Sequence, residues 1–80
     1  MFKNKAFNGN NNLCGLKIAL LRKNSETKMS QRALAEKLQL LGIDVDKNAI
    51  QRIESGKRFI TDIELYAIAK VFNVSVSDLF

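Results

Sequence analysis

The sequence predicts an all-α domain of five short helices, and three observations lead to that fold class. Apolar residues recur three and four positions apart along most of the chain, which is the spacing of a helix with one buried face. No segment alternates apolar and polar residues as a half-buried strand does, and the chain contains no proline. Its 80 residues are 46% hydrophobic and 26% charged, which suits one compact domain with a single core.

Residues 1–12 are predicted to form a flexible N-terminal arm that precedes the helical domain of residues 13–80. The asparagine-rich end of this segment favours turns over helix. Chain ends of such composition are usually poorly ordered. Lys3 and Lys5 leave a second interpretation open, in which a basic arm reaches the phosphate backbone of a nucleic acid.

The first helix is predicted over residues 13–23. Leu13, Leu16 and Leu20 lie three and four positions apart, so on a helix they form one apolar stripe. Such a stripe is typical of an amphipathic helix. The polar residues 24–27 then predict a loop.

The second helix is predicted to begin at Ser30 and to end before Gly42. A serine hydroxyl is a good N-cap, and glycine commonly follows the last turn of a helix. The apolar stripe expected to face the core consists of Ala33, Leu34, Leu38 and Leu41. A short turn then leads to the third helix.

The third helix is predicted over about residues 47–55, with Asp46 as N-cap and Gly56 as the stop. At 100° per residue its two sides separate cleanly. One side carries long hydrogen-bonding side chains and no acid, within an arc of about 140°: Lys47, Asn48, Gln51, Arg52 and Ser55. The opposite side carries Ala49, Ile50 and Ile53, with Glu54 at its edge, and is expected to lie in the core.

The fourth helix is predicted to follow Thr61, which forms a capping box with Glu64. Most of its residues up to Phe72 are apolar, so we expect burial on several sides. A short fifth helix is predicted to start at Ser75, with Asp78 three residues further on.

Composition argues against an enzyme. The chain has no histidine, so histidine-based acid–base catalysis and histidine metal ligation are excluded. Its one cysteine, Cys14, cannot form a zinc site or an intramolecular disulfide, and we expect it to be a small buried residue. No glycine-rich phosphate loop is present. We therefore expect neither a cofactor nor a bound metal.

The formal net charge is +5, and it is unevenly distributed. Residues 1–28 and 47–58 are mainly basic, whereas residues 59–80 are mainly acidic. This division suggests one face for a polyanion and another for a different contact. The longest apolar stretch is too short to cross a bilayer, and no apolar signal core follows the N-terminal lysines, so a cytoplasmic protein is expected.

The second and third predicted helices together fit a helix-turn-helix, in which the second of two short helices enters the major groove of DNA. Major-groove base edges present a distinct set of donors and acceptors for each base pair. Asparagine and glutamine can form two hydrogen bonds with adenine, and arginine and lysine can form two with guanine. The acid-free side of the third helix supplies these residue types.

Three segments resemble the Xre/Cro–C1 repressor family, which has a lambda-repressor-like fold. Residues 29–38 (MSQRALAEKL) are similar to the start of that family's helix-turn-helix. Residues 45–58 (VDKNAIQRIESGKR) are similar to its recognition helix and exit, and residues 65–80 to its last part. The loop after the first helix and the connection between the second and third are longer than the family pattern. Either the second helix is extended or the turn is wider.

The resemblance implies two groups of site residues. Those implied to read base edges are Lys47, Asn48, Gln51 and Arg52. Those implied to contact phosphates are Gln31 at the start of the second helix, Lys28 before it, and Ser55, Lys57 and Arg58 at the exit of the third. Arg22 and Glu54 match positions that the family uses for an internal ion pair, so we interpret them as structural.

The resemblance implies sequence-specific binding of double-stranded DNA by a transcriptional regulator, expected to be a repressor that forms a homodimer on a two-fold operator. The surface expected to pair comprises Tyr66, Val74, Leu79 and Phe80. One alternative is an antitoxin or partner-binding module whose DNA binding is autoregulatory. Another is non-specific binding of a polyanion or a membrane surface by the basic N-terminal third.

Overall fold

The computed structural model describes residues 9–80, so Lys3 and Lys5 of the predicted arm lie outside the described residues. Over residues 9–80 the chain forms four α-helices and a final turn of 3₁₀-helix, with no strand. The elements are α1 (Gly15–Lys23), α2 (Gln31–Leu40), α3 (Lys47–Glu54), α4 (Asp62–Phe72) and the 3₁₀ turn (Val76–Leu79). The all-α class is confirmed, but the predicted fifth helix is only this 3₁₀ turn of four residues.

One apolar core joins all of these elements. Its fully buried large side chains come from every helix and from the 3₁₀ turn: Ile18, Leu34, Leu38, Ile50, Ile53, Ile68 and Leu79. Each such side chain contributes about 1.5–3 kcal/mol to folding relative to an exposed one. Met29 and Val45, in the segments before α2 and α3, are also buried, so both connections are anchored to the core.

The leucine stripe that indicates α1 does not face the core. The stripe of Leu13, Leu16 and Leu20 faces outward, with 62%, 72% and 47% of each residue exposed. The side that faces the core instead carries Ile18, Ala19 and the charged residue Arg22. This helix has apolar residues on two sides. Their spacing shows which residues share a side, but it does not show which side is buried.

Gly15 explains why α1 turns this side toward α3. A Cβ atom at this position would collide with the main-chain carbonyl oxygen of Ile53, so only glycine permits the two backbones to come this close. Gly15, Ile18 and Arg22 are themselves spaced three and four apart. The same periodicity that selected the leucines therefore also describes the face that is buried.

The outer side of α4 is more exposed than predicted. Ala67, Ile68 and Ala69 are buried, but Ile63 and Tyr66 are 68% and 60% exposed. The helix packs on one side only, because no further element covers its outer side within residues 9–80. Its predicted capping box is confirmed, since the Thr61 hydroxyl accepts from the Glu64 amide.

The longer connection between α2 and α3 is well ordered. Gly42, with a φ of 85°, donates its amide to the Gln39 carbonyl, which ends α2 as predicted. The Gln39 side chain then donates Nε2–H to the Val45 carbonyl at 2.7 Å. Leu41 is half exposed, contrary to its predicted place in the core stripe, because α2 has already ended at Leu40.

Over residues 9–80, no helix has the length and apolar content needed to cross a membrane.

Candidate nucleic-acid interface

Helix α3 has the two sides that its sequence predicts. The Asp46 carboxylate accepts a hydrogen bond from the Ala49 amide at 2.8 Å and caps the helix. Ile50 and Ile53 are each 1% exposed and hold the helix against the core. The side chains predicted to contact DNA from this helix all lie in exposed positions: Lys47, Asn48, Gln51, Arg52 and Ser55.

Glu54, the acid of α3, is directed away from this exposed side. The Arg22 guanidinium donates Nε–H to Oε2 at 2.7 Å and Nη2–H to Oε1 at 2.9 Å. It also donates Nη1–H to the Met29 carbonyl at 3.0 Å. Both side chains are about nine-tenths buried, so the predicted internal ion pair is confirmed. The outward side of α3 thereby keeps its basic character.

Gln31 is part of the same network. Its Nε2 donates to Glu54 Oε1 at 3.0 Å, so one of its two amide hydrogens is already committed. The residue is half-buried at the N-terminus of α2, where the Ser30 hydroxyl accepts from the Ala33 amide. Its predicted phosphate contact would therefore use the second amide hydrogen or the main chain.

Arg58, predicted to contact phosphate, is bound within the domain. Its Nη1 and Nη2 donate to the two carboxylate oxygens of Glu64, both at 2.9 Å. These hydrogen bonds lower the pKa of Glu64, helped by the Thr61 amide and opposed by burial. The charge of Arg58 is therefore largely balanced inside the protein, whereas Lys57 and Lys28 are exposed. Because Glu64 already had a capping role, its pairing with Arg58 was not predicted.

An open groove between α2 and α3 brings in a residue that the site predictions missed. Arg32 lines this groove together with Lys47 and Asn48. At 100° per residue it lies on the same side of α2 as Ala35 and Gln39, which face α3. This helical spacing is the signal that would have identified Arg32, although two acids, Glu36 and Asp46, also line the groove.

The end of the predicted arm lies against the exit of α3. The main-chain amide of Asn11 donates to the Gly56 carbonyl at 2.7 Å, and its side-chain Nδ2 donates to the Lys57 carbonyl at 2.9 Å. Asn12 donates Nδ2–H to the carbonyls of Ile53, at 3.1 Å, and Arg58, at 2.7 Å. A run of asparagines is typical of turns, and nothing in the sequence indicated these partners.

Among residues 9–80 there is no group of three histidine, cysteine, aspartate or glutamate side chains placed to hold a metal ion. Cys14 is buried as predicted, and burial raises the pKa of its thiol. A buried thiol with a raised pKa is a poor nucleophile, because little thiolate is present at neutral pH.

In a comparison with family models, residues 18–79 match a family described as helix-turn-helix. The matched region runs from α1 to the final 3₁₀ turn and so includes all of α2 and α3. No curated protein matches the chain. No solved structure matches it either.

Proposed function

The chain belongs to the Cro/C1-type helix-turn-helix family of DNA-binding regulators, and we propose that it is a sequence-specific transcriptional repressor. The observation that carries this proposal is the clean division of α3, with its acid-free outer side exposed and its acid tied back to Arg22. Such a helix can enter the major groove without repelling phosphates.

Four residues of α3 are assigned to base reading: Lys47, Asn48, Gln51 and Arg52. Arginine forms two hydrogen bonds with guanine, and asparagine or glutamine forms two with adenine. Arg52 lies in the last turn of α3 and Asn48 in the first, so the four side chains span the length of the helix. Together they would read a few consecutive base pairs.

Phosphate contacts are assigned to residues around the two ends of the helix-turn-helix. Lys28 and Gln31 lie at the start of α2, and Ser55 and Lys57 lie at the exit of α3. Arg32 is added because it shares the α2–α3 groove with two residues of α3. Arg58 is retained as a weaker contact, since Glu64 already binds its guanidinium in two places.

Repression is the simplest outcome of such binding, because occupying a promoter excludes other proteins without any further contact. An 80-residue chain covers a short stretch of DNA, so a homodimer on a two-fold site would raise affinity and specificity. Leu79 cannot belong to the pairing surface, because it is 0% exposed. Val74 is half-buried, whereas Tyr66 and Phe80 are exposed, so these three residues are assigned to it. We propose a cytoplasmic location, which a DNA target would suit.

Selection of binding sites from a random duplex library tests this proposal. We expect enrichment of a palindromic sequence. Arg52→Ala should then lose about 1–3 kcal/mol of binding free energy at that sequence and relax the preference at one base pair. Lys23→Ala is the matched control, because Lys23 is an exposed basic residue of α1 and has no assigned contact. Absence of any enriched sequence would contradict the proposal.

A second candidate function is a partner-binding module with autoregulatory DNA binding, and the exposed apolar surface favours it. Leu16 and Leu20 are exposed on α1, and Leu13 is exposed just before it. The exposed Leu40 and Leu41 line a second groove with Lys37 and Lys70. The exposed Ile63 and Tyr66 line a third, which shares Leu41 and Lys70 with it. Apolar surface beyond the core commonly marks a protein contact. Replacing Leu16 and Leu40 by serine tests this function. We expect DNA binding by the chain alone to be unchanged, and regulation of transcription to be lost only if a partner protein binds at one of these two residues.

A further inference from the structure

Residues 55–58, which we call the exit turn, follow α3 and are held by hydrogen bonds on both sides of their backbone. On one side, the amides of Lys57 and Arg58 both donate to the Arg52 carbonyl, at 2.9 and 3.2 Å. The Gly56 amide donates to the Ile53 carbonyl at 3.0 Å, and a φ of 81° at Gly56 permits this helix ending. The amides of the turn are thus all engaged with the helix that they leave.

On the other side, the carbonyls of the same turn are engaged by the chain's N-terminal segment. Asn11 binds the carbonyls of Gly56 and Lys57, and Asn12 binds those of Ile53 and Arg58. Asn12 is fixed in turn, because its Oδ1 accepts from the Gly15 amide at the start of α1, at 2.7 Å. We call Asn11 and Asn12 the asparagine latch.

We propose that the asparagine latch is a positioning element for DNA binding, which holds Lys57 in place to meet a phosphate. The inference rests on the proposed function. Neither latch residue contacts DNA in this scheme, and both act through the main chain of the exit turn. A turn that is ordered before binding avoids the entropy loss of ordering it on the DNA, so each phosphate contact contributes more to affinity.

The chemistry of Asn11 distinguishes this role from ordinary stabilisation of the fold. Its Oδ1 is buried and has no hydrogen-bond partner among residues 9–80, and such a group costs free energy. Its Nδ2 bond to Lys57 is exposed and adds little to folding. Asn11 is therefore a poor choice for stability alone, but its side chain reaches the carbonyl of the one exposed lysine in the exit turn.

The test combines Asn11→Ala with Lys57→Ala in a double-mutant cycle. Affinities are measured for the selected duplex and for a random-sequence duplex, at several salt concentrations and at a temperature where every variant is folded. Asn11→Ala should weaken binding to both duplexes roughly threefold to tenfold, which is the loss expected from ordering one or two side chains on binding. The ratio of the two affinities should not change, because no base contact is lost.

In the Lys57→Ala background, Asn11→Ala should have no further effect on affinity, since the latch then has no lysine to position. Ile68→Val is the matched control: it removes a buried methyl from α4 and lowers stability without touching the exit turn. Hydrogen exchange of the Lys57 and Arg58 amides should be faster in Asn11→Ala than in this control.

Three results would overturn the proposal, and they are distinguishable. If Asn11→Ala weakens binding equally with and without Lys57, the latch acts on something other than that lysine. If it has no effect while Lys57→Ala weakens binding, the latch is structural only and the DNA-binding function stands. If the unmodified chain binds neither duplex, the proposed function itself fails and the positioning role fails with it.

Discussion

Helices α1 and α3 lie against each other, yet they distribute polar and apolar side chains differently. Helix α3 buries Ile50 and Ile53 and exposes its polar side. Helix α1 exposes a row of leucines and buries Arg22. The difference shows that the partners of one charged group and one close backbone contact can decide how a helix is turned. Counting the apolar residues on each side of a helix predicts the buried side only where no buried charge or close backbone contact requires another orientation.

The largest expected effect comes from breaking the ion pair that joins these helices. Arg22→Ala leaves the carboxylate of Glu54 nine-tenths buried without its cation, since only the Gln31 amide would still donate to it. We expect a loss of about 3–5 kcal/mol in the free energy of unfolding, measured by urea denaturation. Lys23→Ala, an exposed neighbour on the same helix, should change it by less than about 0.5 kcal/mol. Similar effects for the two variants would mean that the pair does not orient α1.

The next effect compares the two sides of α1 directly. Ile18 is 0% exposed, so Ile18→Ala should lower the free energy of unfolding by about 2–5 kcal/mol. Leu16 is 72% exposed, so Leu16→Ala should stay within about 0.5 kcal/mol of the unmodified chain. Urea denaturation measures both. The reverse order would show that the leucine stripe faces the core after all.

A smaller effect compares the outer sides of α1 and α3 in DNA binding. Gln51→Glu places a carboxylate in the proposed groove-facing surface, where it meets phosphates and base acceptors. We expect a loss of about 1–3 kcal/mol in binding free energy, with little change in the thermal midpoint. Leu16→Glu, an acid of equal charge on the outer side of α1, is the control. Equal losses would indicate that only net charge matters, and that α3 does not enter the groove.

The smallest effect concerns the second ion pair, Arg58–Glu64, which is less buried than Arg22–Glu54. Hydrogen bonds from Arg58 lower the pKa of Glu64 in the folded chain below its ordinary value of 4.5. The unfolded state then binds more protons, so the stabilisation is present above about pH 4.5 and is lost as the pH falls through the lower folded pKa. Thermal midpoints measured from neutral to acid pH should fall less steeply in Glu64→Gln. An unchanged slope would remove Glu64 from the acid response.

The sequence predicts α3 well because everything that defines this helix is local. Its cap, Asp46, its stop, Gly56, and its two sides all lie within a dozen residues, and a 3.6-residue period needs no distant information. Arg22 and Glu54 were predicted to pair only through the family resemblance. Orientation of α1 depended on contacts with Ile53 and Glu54, more than thirty residues away, which periodicity does not contain.

The predicted site shows the same limit. Exposure of the base-reading candidates follows from the helical period, and their roles remain a proposal. Arg58 is of a residue type that commonly contacts phosphate. Its observed partner, Glu64, was already predicted to bind the Thr61 amide, so only the three-dimensional structure reveals the pairing of Arg58 with Glu64. Asn11 and Asn12 look like turn residues, and their carbonyl partners become visible only when α1 and α3 are packed together.

Glu54 collects hydrogen bonds from residues of α1 and α2 while it belongs to α3, so one carboxylate connects three helices. This arrangement separates the requirements of folding from those of recognition within a single short helix. The inner positions and Glu54 are constrained, whereas the outer positions can be exchanged without a structural cost. If the outer residues read bases as proposed, a few outward substitutions would give the same scaffold a new DNA target without changing its fold.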